Sequence, residues 1–136
     1  MNRAVIALGS NIDPQENIGR AKKLLVRAYH ILAESQFIMT KPIGDTDQKD
    51  FINGALLLET PLAFDELKKM LKIMEVQLGR HEKTAKFGPR TIDLDIVVWN
   101  GKVVDQDFYE RDYLKQAVLG LWPNLRYEKS ARQPLA

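Results

Sequence analysis

The chain contains no cysteine and only two histidines among its 136 residues. Disulfides, thiolate metal sites and a cysteine nucleophile are therefore excluded, and the pattern fits a reducing compartment. Charge of one sign is also lacking, since twenty Lys and Arg face eighteen Asp and Glu for a formal net charge of +2. So small an excess does not by itself imply nucleic-acid binding, and any electrostatic function must be local. Long apolar runs are missing too. The first, Ala4 to Leu8, is too short for a signal-peptide core, and no segment approaches the roughly 18 apolar residues of a spanning helix. The expectation is a soluble, cytoplasmic protein. What is present, 45% hydrophobic and 28% charged residues, is close to the globular average. A chain of this length fits one domain, residues 1–136, able to bury roughly 68 to 70% of its unfolded surface.

The stretch richest in chemistry is Gly88-Pro89-Arg90-Thr91-Ile92-Asp93-Leu94-Asp95-Ile96-Val97-Val98-Trp99. From Thr91 to Val98 the even positions are Ile92, Leu94, Ile96 and Val98, which predicts a β-strand with Asp93 and Asp95 on its other face. Two carboxylates at i and i+2 repel each other, and in an apolar strand they need a cation or donors to compensate. Oxygen donors suit a hard ion such as Mg²⁺. Immediately upstream, residues 79–90 are bounded by glycines and carry Arg80, Lys83, Lys86 and Arg90 without an apolar period, which reads as a loop. A basic loop leading into a metal-binding strand points to a nucleoside triphosphate. Taken alone, an Asp-x-Asp pair is more often an ordinary solvated strand face beside a charged loop, because such pairs are common.

The remaining elements follow from periodicity. Residues 3–8 read as a buried first strand ending at Gly9-Ser10-Asn11. Asp13 and Pro14 predict a capped helix start, with Ile18, Ala21, Leu24, Leu25, Ala28, Ile31 and Leu32 marking one apolar face to about Glu34. A second strand is expected over Ser35 to Lys41, a loop over 42–50, and a third strand over Phe51 to Glu59. Thr60-Pro61 opens a second helix with Leu67, Met70, Leu71, Met74 and Leu78 at helical spacing, stopped by Gly79. Asn100-Gly101 predicts a hairpin to a short strand at Lys102 to Val104. Ala117 to Trp122 is expected as an edge strand or extended cover, and the end from Asn124 as loosely packed. The order gives two split βαβ halves: an α+β, ferredoxin-like sandwich of βαββαβ type, with a mostly antiparallel sheet, helices on one face and an extra C-terminal hairpin.

Several motifs then combine: Ala7-Leu8-Gly9-Ser10-Asn11, Asp47-Gln48 with Phe51-Ile52-Asn53-Gly54-Ala55, Glu75 with Gly79-Arg80, and Gly88 to Asp95. In this order they resemble the 6-hydroxymethyl-7,8-dihydropterin pyrophosphokinase family over residues 4–104. The resemblance implies ATP as co-substrate, two Mg²⁺ ions on Asp93 and Asp95, and attack of a pterin hydroxymethyl oxygen on the β-phosphorus with loss of AMP. It implies catalytic roles for Arg80, Arg90, Asp93 and Asp95, and nucleotide contacts from Glu75, Arg80, Lys83, Arg90, Ile96, Tyr109 and Lys115. For the pterin it implies Gly9, Thr40, Pro42, Ile43, Phe51 and Asn53, where a ring stacks the heterocycle and an amide matches its edge.

The chain departs from that pattern after residue 104. A Pro-His-Pro-like segment followed by an arginine and an aromatic is absent. An ungapped alignment puts Tyr109 at a phosphate-binding histidine, Lys115 at the arginine and Ala117 at the second aromatic of the pterin sandwich. Lysine loses bidentate geometry, alanine loses a stacking face, and tyrosine carries no positive charge. Within the loop, Glu82 replaces an arginine and Phe87 a tryptophan. The competing expectation is a non-catalytic pterin- or nucleotide-binding homologue. No nucleic-acid or membrane partner is expected, RNA binding being disfavoured because the strands lack an aromatic ribonucleoprotein signature, and a monomer is the default.

Overall fold

The structure is a computed structural model and describes residues 1–43, 47–79 and 91–128. Its elements are β1 (Asn2–Ser10), α1 (Pro14–Ala28), β2 (His30–Glu34), β3 (Ile38–Thr40), β4 (Phe51–Thr60), α2 (Phe64–Gln77), β5 (Asp93–Trp99), β6 (Lys102–Val103), α3 (Asp107–Glu110) and α4 (Asp112–Leu121). The strands form one sheet in the order β2-β4-β1-β5-β6, with β3 also pairing β4, and every pairing is antiparallel. This is the expected mixed α/β sandwich. No helix among the described residues is long and apolar enough to cross a membrane.

Side-chain alternation divides the core in two. Ala4, Ile6 and Leu8 of β1, Leu56 and Leu58 of β4, and Leu94 and Ile96 of β5 point to one face, where Ile18, Ala21 and Leu25 of α1 and Leu67, Leu71 and Met74 of α2 cover them. The opposite face carries Val5, Ala55 and Val97, covered by Phe108, Leu114, Val118 and Leu125. The C-terminal segment thus adds a second layer to the α1/α2 sandwich.

That layer overturns the expectation of an edge strand or extended cover at Ala117 to Trp122. Residues 112–121 are helical: Leu114 and Val118, one turn apart, are buried against the second face of the sheet while Gln116 between them is exposed, whereas a strand would turn all three to the same side. Residues 124–128 are also less loose than expected, since Leu125 is buried and the Tyr127 ring lies 5.1 Å from Phe108; the remainder of that stretch lies outside the described residues.

The first helix ends at Ala28 instead of running to Glu34. Tyr29 is extended, and residues 30–34 leave the helix to pair with β4, with an irregularity between Ile31 and Ala33. Ile31 and Leu32 satisfy a helical period locally, but β4 offers an unpaired edge whose hydrogen bonds outweigh local propensity. Asp13 stands at the helix start in a left-handed conformation without a side-chain cap; its carbonyl accepts Asn17 N–H at 3.0 Å. The second helix starts at Phe64 rather than Thr60-Pro61, where Glu66 Oε1 accepts the Ala63 N–H at 2.9 Å. Gly79 ends it at φ 100° as expected, and Asn100 and Gly101, both at positive φ, make the hairpin to β6.

Candidate active site

The register of β1 determines what meets on the open half of the second face. Gly9 pairs with Asn53 on one side and Asp93 on the other, and Ala7 pairs with Ala55 and Asp95. One rung of the sheet therefore reads Asn53, Gly9, Asp93, and the next Ala55, Ala7, Asp95. Leu94 and Ile96 are taken by the α1/α2 core, so the alternation of β5 turns both carboxylates the other way. The small residues of β1 leave a floor. Above it lies a cleft of about 430 Å³, lined on the β3/β4 side by Thr40, Ile43, Phe51 and Asn53 and on the other by Asp93, Asp95, Asp105, Arg111 and Tyr113. Such a volume suits a small heterocyclic ligand.

Gly9 is required by a close approach. A Cβ at this position would run into the Asn53 side-chain oxygen. The Asn53 amide nitrogen in turn donates to Thr40 Oγ1 at 2.5 Å, and Thr40 stands opposite Phe51 in the β3–β4 pairing. Asn53 is thus fixed by β3 from one side and by the absence of a side chain on β1 from the other.

A second depression of about 240 Å³ adjoins the cleft, lined by Phe64, Leu71, Ile96, Val104 and Gln106 among others, and it shares Lys72, Asp95 and Asp105 with the first. The carboxylate of Asp95 therefore stands where two lobes meet.

The edge of β5 at this junction is not covered by β6, which pairs only with Val98 and Trp99. Two side chains of α2 take the place of a neighbouring strand. Glu75, 4% exposed, accepts the Leu94 N–H at 2.7 Å, and Lys72 Nζ donates to the Leu94 carbonyl at 3.2 Å. Lys72 Nζ also lies 3.1 Å from Glu75 Oε2 and 3.2 Å from Asp95 Oδ1. The residue between the two aspartates is held through its backbone by an ion pair on the helix.

Burial pushes the Asp95 carboxyl up to about 7, the nearby Asp93 charge adds to this, and Lys72 opposes it. For Lys72 burial works against the ammonium, but Asp95 and Glu75, with Asp93 behind them, outweigh it and hold its pKa above the usual lysine value. Asp105 is raised by burial, with further upward pressure from Asp107 and Asp93 against the Asp107 N–H and Arg111. Among the described residues, five carboxylates (Asp93, Asp95, Asp105, Asp107 and Glu110) face three cations (Lys41, Lys72 and Arg111) in the cleft, leaving it short of positive charge.

The donor set fits Mg²⁺. Asp93 and Asp95 offer hard oxygen donors toward the cleft, and no cluster of three or more potential ligating side chains occurs among the described residues. Magnesium is commonly held in this way by one or two carboxylates, with phosphates and water completing the shell.

Of the residues singled out from sequence, Gly9, Thr40, Ile43, Phe51, Asn53, Asp93 and Asp95 line one cleft. Ile96 is nearly buried and lines the adjoining lobe. Pro42 is half-buried and outside the lining, and Glu75 reaches the site through Leu94. Tyr109 packs edge-on against Phe108 at 5.1 Å, and Lys115 Nζ sits 4.9 Å from the Tyr127 ring centre, so neither lines the cleft. Arg80, Lys83, Lys86 and Arg90 lie outside the described residues. Sequence reasoning missed Lys72, Arg111 and Tyr113. The i, i+3 spacing of Lys72 and Glu75 was a usable signal for the first; the other two depend on where α3 turns into α4.

Comparison with known proteins agrees with this geometry. Residues 5–123 match the profile of the 7,8-dihydro-6-hydroxymethylpterin-pyrophosphokinase family. A 2-amino-4-hydroxy-6-hydroxymethyldihydropteridine pyrophosphokinase of Pseudomonas aeruginosa is 35% identical over 108 residues, covering 77% of this chain and 66% of the relative. The protein of that name from Haemophilus influenzae is 34% identical over 110 residues, 79% of this chain and 68% of its own. A folate synthesis bifunctional protein of Arabidopsis thaliana is 36% identical over 105 residues, 76% of this chain and 22% of its own. The chain spans about two thirds of the length of the two bacterial relatives. With a family match over most of its length and a cleft built from the residues that carry it, the chain belongs to the 7,8-dihydro-6-hydroxymethylpterin-pyrophosphokinase family.

Proposed function

We propose that this chain, acting as one domain, transfers a pyrophosphoryl group from ATP to the hydroxymethyl group of a 7,8-dihydropterin and releases AMP. The observation that carries the reading is the rung Asn53, Gly9, Asp93, which sets a heterocycle-matching amide and a metal-type carboxylate on opposite sides of one bare glycine. Phe51 stacks the pterin, Asn53 reads its edge, and the walls at Thr40 and Ile43 fix its orientation. The triphosphate lies over the junction, with its base toward the lobe containing Ile96 and Val104. Asp93 and Asp95 would hold Mg²⁺, which neutralises charge on the phosphate oxygens when bound. Arg80 and Arg90 grip the triphosphate through their planar forks. The substrate hydroxyl oxygen then forms a bond to the β-phosphorus and gives up its proton to solvent, while the bond from that phosphorus to the α–β bridging oxygen breaks and the oxygen departs with AMP. Alignment and charge neutralisation suffice for such a transfer, without a covalent intermediate.

The test is AMP release from ATP with Mg²⁺ and 6-hydroxymethyl-7,8-dihydropterin, read by chromatography against a control without pterin. Pterin-dependent AMP formation supports the reading. One observation favours the non-catalytic homologue instead: the Lys115 ammonium lies over aromatic rings rather than in the cleft. Metal-dependent binding of a non-hydrolysable ATP analogue with no AMP formed would establish that alternative.

A further inference from the structure

Lys72 is the cation nearest to either aspartate among the ion pairs of the described residues, and it stands where both lobes of the cleft converge. Its ammonium is held from three directions: by the Leu94 carbonyl, by Glu75 and by Asp95 Oδ1. Glu75 is itself buried and tied to the Leu94 N–H, so the lysine is anchored on the strand edge and cannot leave without breaking several contacts at once. An ordinary surface lysine has one partner and little order. Here a unit positive charge is fixed against one of the two carboxylates that must receive a divalent ion.

We propose that Lys72 is a positioning residue that couples metal binding to nucleotide binding. It occupies Asp95 and opposes a bare divalent ion there, and a triphosphate relieves that opposition by bringing anionic oxygens to the junction that both cations face. The site consequently discriminates in favour of the metal–nucleotide complex over free metal. This inference rests on the reading of Asp93 and Asp95 as metal ligands. It is a statement about Coulomb repulsion between like charges at a half-exposed junction, where screening is incomplete.

The experiment measures Mn²⁺ binding to the full chain by electron paramagnetic resonance of the free ion, with and without a non-hydrolysable ATP analogue. Wild type is compared with Lys72→Gln, Lys72→Arg and Asp95→Asn. Glutamine removes the charge and keeps a donor for the Leu94 carbonyl; arginine keeps the charge. Thermal unfolding confirms that each variant is folded, as expected for a helix-surface side chain that is 45% exposed. Lys72→Gln should bind Mn²⁺ alone about five- to tenfold more tightly than wild type, and the enhancement by the analogue should shrink by at least that factor. Lys72→Arg should behave as wild type. If Lys72→Gln binds Mn²⁺ no more tightly while Asp95→Asn abolishes binding, the metal site stands and the role of Lys72 is overturned. If Asp95→Asn binds Mn²⁺ as wild type does, the metal reading itself falls and the proposal with it.

Discussion

Glu75 Oε2 accepts the backbone N–H of Leu94 at 2.7 Å, and so a buried side chain of α2 holds the residue that separates Asp93 from Asp95. Removing the acceptor leaves a backbone donor unpaired at the edge of β5. Glu75→Ala is expected to cost about 2 kcal/mol, seen as a Tm lower by about 5 to 10 °C. Glu75→Gln keeps an acceptor oxygen and should lose less than half as much. Measured where both are folded, AMP formation should fall in Glu75→Ala and recover in part in Glu75→Gln. Glu66→Ala, which removes the bond to the Ala63 N–H, should lower Tm without altering turnover.

Arg111 and Lys115 divide differently in space than along the chain. Arg111 lines the cleft, whereas Lys115 is drawn onto Tyr127 and Phe108. Arg111→Ala should raise the KM for ATP about tenfold, through loss of a charge-assisted contact to phosphate. Lys115→Ala should change stability by about 1 kcal/mol through its cation–π contacts, with a much smaller effect on KM. Steady-state kinetics and thermal unfolding of the two variants separate these outcomes.

Gly9→Ala places a methyl against the Asn53 amide oxygen. The amide is the end of a flexible side chain, so the fold should survive and the amide should swing away from its Thr40 contact. A pterin analogue should bind at least about tenfold more weakly, the loss expected when a matched hydrogen-bonding edge is misaligned. Nucleotide binding should be unaffected, and fluorescence titration of the two ligands distinguishes this from general loosening.

Asp95 gives the protein a pH dependence of definite sign. Its carboxyl is raised from 3.8 to about 7 in the fold, so the folded state binds this proton more tightly than the unfolded chain does. Stability contributed by the site is full below about pH 4 and is lost as pH rises through about 7. Lys72, raised above its usual 10.5, contributes its stability throughout this window and does not alter the sign. In a chelator, the Tm contribution of this site should fall between about pH 5 and pH 8, and Asp95→Asn should flatten that part of the profile. Added Mg²⁺ should raise the Tm of wild type more at the upper end than at the lower.

Much of this arrangement is legible in the sequence because it depends on alternation. Gly9, Asn53, Asp93 and Asp95 lie on strands, where a period of two decides which face a side chain takes. The sheet order follows from two split βαβ units, and the hairpin from Asn100-Gly101. What was not legible depends on competition between distant segments. Residues 30–34 obey a helical period and still become β2, because β4 presents an edge that the local sequence does not reveal. Ala117 to Trp122 read as an edge strand or extended cover, yet residues 112–121 form a helix that lays Leu114 and Val118 over Val5 and Ala55, a surface that exists only once the sheet is assembled. Lys72 follows Lys68 and Lys69 on the same helix, and only its i, i+3 spacing to Glu75 sets it apart in the sequence. Its place beside Asp95 follows from α2 packing along the part of β5 that β6 does not pair.

The central claim is that Asp93 and Asp95 hold the ion that makes pyrophosphoryl transfer possible. The most direct measurement is a single-turnover assay of AMP formed from ATP and 6-hydroxymethyl-7,8-dihydropterin as Mg²⁺ is varied, comparing wild type with Asp95→Asn. Wild type should form AMP with saturable dependence on Mg²⁺, and Asp95→Asn should be slower by at least about a thousandfold while remaining folded at the assay temperature. Equal rates in the two proteins, at any Mg²⁺ concentration, would contradict it.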